Sequence, residues 1–201
     1  MMYADVAMDL AAAWGLEGAI FIGNSVGGYA ALRVALEAPR CVGGLVLVDT
    51  GGFTAPSWLT RSFCRLKGTE ALTRRFGPRF TRHYLKIRTR FSDAMIARAD
   101  DEVLTPARVA VDAAIWRSFA RPEHDLRVRV AGLSTPTLLV WGKRDPVLAP
   151  EREGREARRR LPHARWVELD TGHAVFAEDP EGFLAAVEPF LAEVARGRAA
   201  A

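Results

Sequence analysis

A serine hydroxyl is a weak nucleophile until a nearby base takes its proton. One serine in this chain has the surroundings for that chemistry. Ala19-Ile20-Phe21-Ile22-Gly23-Asn24-Ser25-Val26-Gly27-Gly28 passes from an apolar run into a Gly-x-Ser-x-Gly-Gly turn, and helix-prone Tyr29 to Glu37 follows. Strand, tight turn and helix in that order lift the hydroxyl to the tip of a sheet, beside the N–H groups that open the helix. The turn demands a strained angle at Ser25, and Gly23 and Gly27 supply no Cβ to collide where strand and helix cross. Asp49, Asp145 and His173 also stand where apolar runs end. The carboxyl ends of strands in an open parallel sheet share one rim, so residues distant in sequence converge there. His173 is the candidate base, and a carboxylate on its far ring nitrogen would fix its tautomer.

The elements that must position these groups read in order. Tyr3 to Trp14 is an amphipathic helix with Val6, Leu10 and Trp14 on one face, Asp5 and Asp9 off it, and Gly15 as its stop. Ala19 to Ile22 is a strand without polar alternation, as a strand covered on both faces should be. Ala30, Ala31, Leu32, Val34, Ala35 and Leu36 suit a helix lying close on a sheet, and Pro39 ends it. Val42 to Val48 is the next strand, parallel to the first through a right-handed crossover. The sheet resumes at Thr135 to Gly142. Pro150 to Leu161 is an outer helix with early acids and late arginines, and Trp166 to Leu169 is the last strand. Pro180 opens a final helix with Phe183, Val187, Leu191 and Val194 on one side, and Arg196 to Ala201 reads as a frayed tail.

Between Phe53 and about Asp125 strand signals vanish and short helical patterns appear, broken by Gly68, Gly77-Pro78 and Pro106. Residues 61 to 90 hold ten Lys/Arg against one acid, Glu70. Such a run is most simply a solvated helix face, and it would also attract an anionic substrate or an acidic surface. His83, His124 and His163 lack strand-end contexts and read as surface or packing residues. No histidine/carboxylate spacing suggests a metal site.

The serine turn is a nucleophile elbow, and the chain resembles a serine hydrolase of the α/β-hydrolase superfamily. Pro136-Thr137-Leu138-Leu139-Val140-Trp141-Gly142 with Asp145, then Gly172-His173 with Glu178-Pro180 behind, extend the resemblance over nearly the whole chain. It implies a triad in the order Ser25, Asp145, His173, with Asp49 as the alternative acid and the Val26 N–H as one oxyanion donor. Asp49 also fits a turn-capping role. The implied reaction is hydrolysis of an ester or another activated acyl bond. Gly23-Asn24-Ser25 also resembles the elbow of ring-cleavage-product hydrolases, which split carbon–carbon bonds of anionic substrates. Residues 1–52 and 126–201 would form the core and residues 53–125 a helical cap, giving an α/β fold with about four core strands and flanking helices.

The resemblance breaks upstream. Only 24 residues precede Ser25, so the early strands and the loop with the second oxyanion donor have no counterpart. The chain looks like the C-terminal part of such a hydrolase. Losing one oxyanion donor costs about 10²–10³ in rate, and Ala19 to Ile22 becomes an exposed edge that invites pairing. Poor folding or oligomerisation and weak ester hydrolysis are therefore expected. A catalytically impaired remnant, or a ligand-binding member of the same fold, is the alternative reading. With a net charge of +4 and two cysteines, the chain points to no nucleic acid, disulfide framework, cofactor or metal. No signal peptide or membrane-length stretch is legible, which makes the cytoplasm the default and a small molecule the expected partner, anionic where the basic run draws it.

Overall fold

The computed structural model describes residues 2–101 and 104–199. Four parallel strands lie side by side in chain order: β1 (Ala19–Asn24), β2 (Val42–Val48), β3 (Thr137–Gly142) and β4 (Arg165–Leu169). Ile22 pairs with Val46, Val46 with Leu138, and Leu138 with Arg165, so Ser25, Asp49, Asp145 and His173 follow strands that end on one rim. Helices α1 (Met2–Ala13), α2 (Val26–Glu37) and α7 (Arg155–Arg160) complete the β–α alternation, while α8 (Val175–Glu178) and α9 (Pro180–Ala199) close the chain. Four further helices, α3 (Trp58–Lys67), α4 (Glu70–Tyr84), α5 (Arg90–Asp101) and α6 (Pro106–Ser118), form an insertion between β2 and β3.

Two apolar layers sandwich the sheet. Leu32, Val34 and Ala35 of α2 meet Leu45, Leu47, Leu139 and Trp141 on one face. Val187, Phe190 and Val194 of α9 meet Val46, Val48, Leu138 and Val140 on the other. Successive strand residues point to opposite faces, so unbroken apolar runs are what this burial requires. No helix among the described residues is long and apolar enough to cross a membrane.

Three details differ from the sequence reading. Helix α1 forms, but it buries Ala4 and Ala11, while Val6, Leu10 and Trp14 face outward. The alanines allow close approach to α2, and among the described strands none lies beyond β1 to cover the larger side chains. The close crossing of β1 and α2 depends on Gly23 and Gly28, not on Gly27. A Cβ on Gly23 would strike the backbone of Gly27 and one on Gly28 would strike Thr50, whereas Gly27 faces open space. At the C-terminus α9 runs on to Ala199 in place of a frayed tail; Ala200 and Ala201 lie outside the described residues.

Candidate functional site

Ser25 occupies a left-handed backbone conformation, φ 53°, a strained setting for a residue with a Cβ. The turn is over-determined: the Ser25 N–H donates to Val48 O at 2.9 Å, and the Ser25 carbonyl accepts from Gly51 N and Tyr29 N. Val26 opens α2 directly behind it. Asn24 extends the bracing across the rim, its Nδ2 donating to Val48 O at 3.2 Å and to His173 O at 2.9 Å.

Opposite, the loop after β3 buries the Asp145 carboxyl. Its Oδ1 accepts from Val147 N and Leu148 N, and its Oδ2 meets His173 Nδ1 at 2.7 Å. The acid and the imidazole are thus joined as expected, and both are buried. The turn carrying His173 is held by Glu178, whose carboxylate accepts from Gly172 N and Ala174 N and, across the insertion, from Lys86 N and Ile87 N.

The expected Ser25–His173–Asp145 relay is not assembled. No described hydrogen bond links Ser25 to His173. The third group joining Asp145 and His173 is Asp49, and donor atoms of the three buried residues lie within 4.8 Å of one another. This buried Asp-Asp-His cluster, with no partnered serine, overturns the reading of the chain as a triad-driven serine hydrolase. The relay needs a second contact, hydroxyl to imidazole, that strand-end spacing does not guarantee.

Asp49 is fully buried at φ 40°. Its Oδ1 accepts from Gly142 N at 2.8 Å, and its Oδ2 lacks a hydrogen-bond partner among the described residues. Burial, and then the charge of Asp145, push its pKa well above the usual carboxylate range, so it retains its proton where an exposed acid has lost it. The spacing could also bridge a cation, a grouping that linear His/Asp spacing did not reveal.

A cavity of about 440 Å³ opens between α2 and α6, lined by Val26, Tyr29, Val111, Ile115, Phe119 and His124 among others. His124 belongs to this wall as a half-buried packing residue. Its ring stacks on Tyr29 at 4.3 Å between centroids, and its Nε2 lies beside Gly51. Burial lowers its pKa to about 4, leaving a neutral imidazole near pH 7. The cations at the cavity are Arg117 and Arg121, which lie outside the basic run of residues 61 to 90. Within that run Arg82 pairs with Asp100 and Arg88 with Asp93.

A parallel β/α sheet with a strained serine between its first described strand and the next helix, and a buried acid–histidine pair on the same rim, defines a hydrolase-like scaffold. The chain belongs to the alpha/beta hydrolase family, whose model matches residues 2–186. It is 28% identical over 178 residues to a pimeloyl-[acyl-carrier protein] methyl ester esterase of Nitrosomonas europaea, covering 81% of this chain and 67% of that protein. A thermophilic esterase from Thermogutta terrifontis superposes with a TM-score of 0.76 at 28% identity, over 95% of this chain and 71% of that one. An enol-lactonase from Burkholderia xenovorans shares the fold, with a TM-score of 0.72 at 24% identity over 94% and 71% of the two chains. The chain thus spans about two thirds of the length of these relatives.

Proposed function

We propose that this chain is a ligand-binding member of the α/β-hydrolase family with impaired turnover, and that the cleft between α2 and α6 receives a small carboxylate or ester-sized molecule. The carrying observation is the buried Asp49–Asp145–His173 cluster, with no hydrogen bond from Ser25 to His173 among the described residues. A hydroxyl without a hydrogen-bonded base is a poor nucleophile. The cavity has the volume of a small-molecule site and mainly apolar walls. Arg117 and Arg121 at its border favour an anionic end group. The likeness to proteins named as esterases favours an acyl-type ligand. Residues 53–125 act here as a cap, with α6 as its ligand-facing helix. The free cysteines, Cys41 and Cys64, suit a reducing compartment such as the cytoplasm.

The test pairs a chemical probe with a binding measurement. A fluorophosphonate probe should label the folded chain no more than Ser25→Ala, and p-nitrophenyl butyrate should turn over at background. Hexanoate should shift the NMR signals of Tyr29 and His124, and Val111→Trp, which fills the cleft, should weaken that binding at least about tenfold. Stoichiometric labelling that disappears in Ser25→Ala would overturn the loss of turnover. Absence of hexanoate shifts would overturn the ligand-binding role.

A further inference from the structure

We propose that His124 receives the anionic end of the ligand in the cleft between α2 and α6, and takes up one proton as a carboxylate binds there. This rests on the ligand-binding reading above and adds the charge that the cleft selects. Other polar groups of the wall are already engaged. The Tyr29 hydroxyl donates to Glu123 O at 3.0 Å, Arg117 Nη1 donates to Gly68 O at 2.6 Å, and the Ser118 hydroxyl donates to Ile115 O at 2.6 Å. The His124 ring is held between Tyr29 and Phe119, with centroids 4.3 and 4.8 Å away, and neither of its nitrogens has a hydrogen-bond partner among the described residues. A Cβ on Gly51 would stand 3.4 Å from His124 Nε2 and 3.5 Å from Ser25 O, so this nitrogen sits at the serine end of the cleft. Val26, the first residue of α2, lines the same cleft, and the positive pole of that helix also favours an anion.

The proton follows from the surroundings of the ring. Burial holds the imidazole neutral, with a pKa of about 4. The titratable and charged side chains around it are Tyr3 of α1, Tyr29 of α2, Arg117 of α6, Arg121 after that helix, and Glu123 and Asp125 of its own turn. Glu123 is exposed, and the Asp125 carboxylate is taken by Arg127 at 2.8 Å. An imidazolium here therefore lacks a dedicated counter-charge. A ligand carboxylate beside Nε2 supplies one, favours the charged ring and returns it to about its ordinary pKa of 6.5. The proton comes from solvent to a ring nitrogen, and no bond of the ligand breaks. Between these two pKa values the complex binds more protons than the free chain, so carboxylate affinity rises as pH falls through 6.5. An uncharged amide of the same length gains nothing from this.

Calorimetry on the full chain at pH 6, in two buffers of different ionisation enthalpy, should read about 0.7 proton taken up per hexanoate and about none per hexanamide. Hexanoate affinity should rise about tenfold from pH 7.5 to pH 5.5, and the His124 nitrogen NMR signals should move to those of an imidazolium on saturation. His124→Phe keeps a ring in the stack on Tyr29 and should abolish both the uptake and the pH dependence. His163→Phe, which alters an exposed histidine, should keep both. The wild-type uptake and NMR signals decide the matter even where a variant does not fold. Hexanoate binding without proton uptake, or uptake that survives in folded His124→Phe, would overturn this proposal and leave the ligand-binding reading standing. A wild type that binds no hexanoate at either pH would overturn both.

Discussion

The rim has two halves, and they are built to different standards. On the His173 side every functional group is fastened. Asp145 accepts two backbone N–H groups besides the imidazole, and Glu178 gathers four from two parts of the chain. On the Ser25 side the backbone is held, but among the described residues no hydrogen bond holds the hydroxyl, and among the described strands the one behind it pairs only with β2. The contrast separates bracing from chemistry. A strained turn and a buried acid–histidine pair can each persist as structure, because each is stabilised locally. The contact between them belongs to neither and can be lost while the fold remains.

Breaking the fastened half should have the largest effect. Glu178→Ala strands the buried N–H groups of residues 172 and 174 and the part-buried ones of residues 86 and 87. Leaving such donors unsatisfied should cost about 3–5 kcal/mol, read as a fall in the urea midpoint, while Glu178→Gln should cost less. An intact midpoint in Glu178→Ala would put both halves on the same footing.

The open half should show itself in acid. His124 has a folded pKa of about 4, below its unfolded value, because burial disfavours the imidazolium. Between pH 6.5 and 4 the unfolded chain therefore binds more protons. The stability contributed by the neutral ring is fully present above pH 6.5 and is lost as pH falls through that window, by on the order of 2 kcal/mol. His124→Phe keeps the stack on Tyr29 and should flatten this acid limb in pH-dependent urea unfolding.

Asp49→Asn gives the smallest expected change and sharpens the comparison most. The raised folded pKa means that the stability from its protonated form is present below the unfolded pKa and is lost as pH rises through the folded one. An amide presents an oxygen to Gly142 N and donors to Asp145, and Asn tolerates φ 40°. The variant should be more stable than the wild type at pH 8, read as a higher urea midpoint. A loss of stability, or a gain in the wild type alone on adding zinc, would instead indicate that the cluster holds a cation.

The fold was largely legible because its strands announce themselves. Leu45 to Val48 and Leu138 to Trp141 are continuous apolar runs, and only a sheet covered on both faces buries them all. Asp145 and His173 were legible as strand-end residues. What stayed hidden depended on side-chain placement across long sequence gaps. Asp49 was legible as a strand-end residue, an alternative acid or a turn cap, but its place beside Asp145 and His173 needed the register that sets Val48 beside Val140 and brings its carboxyl to Gly142. His124 has no strand before it, and only the packing of Tyr29 and Phe119 around its ring makes it part of the cleft. The outward face of α1 was misjudged because periodicity marks an apolar stripe without saying which side of the helix has a neighbour.

The His173 N–H donates to Tyr84 O at 3.1 Å, and the Tyr84 ring meets the imidazole edge-on at 5.5 Å between centroids. The end of α4 and the histidine turn are therefore tied to each other. Lifting the whole insertion would break this hydrogen bond and this ring contact, and so would disturb the turn that carries the imidazole.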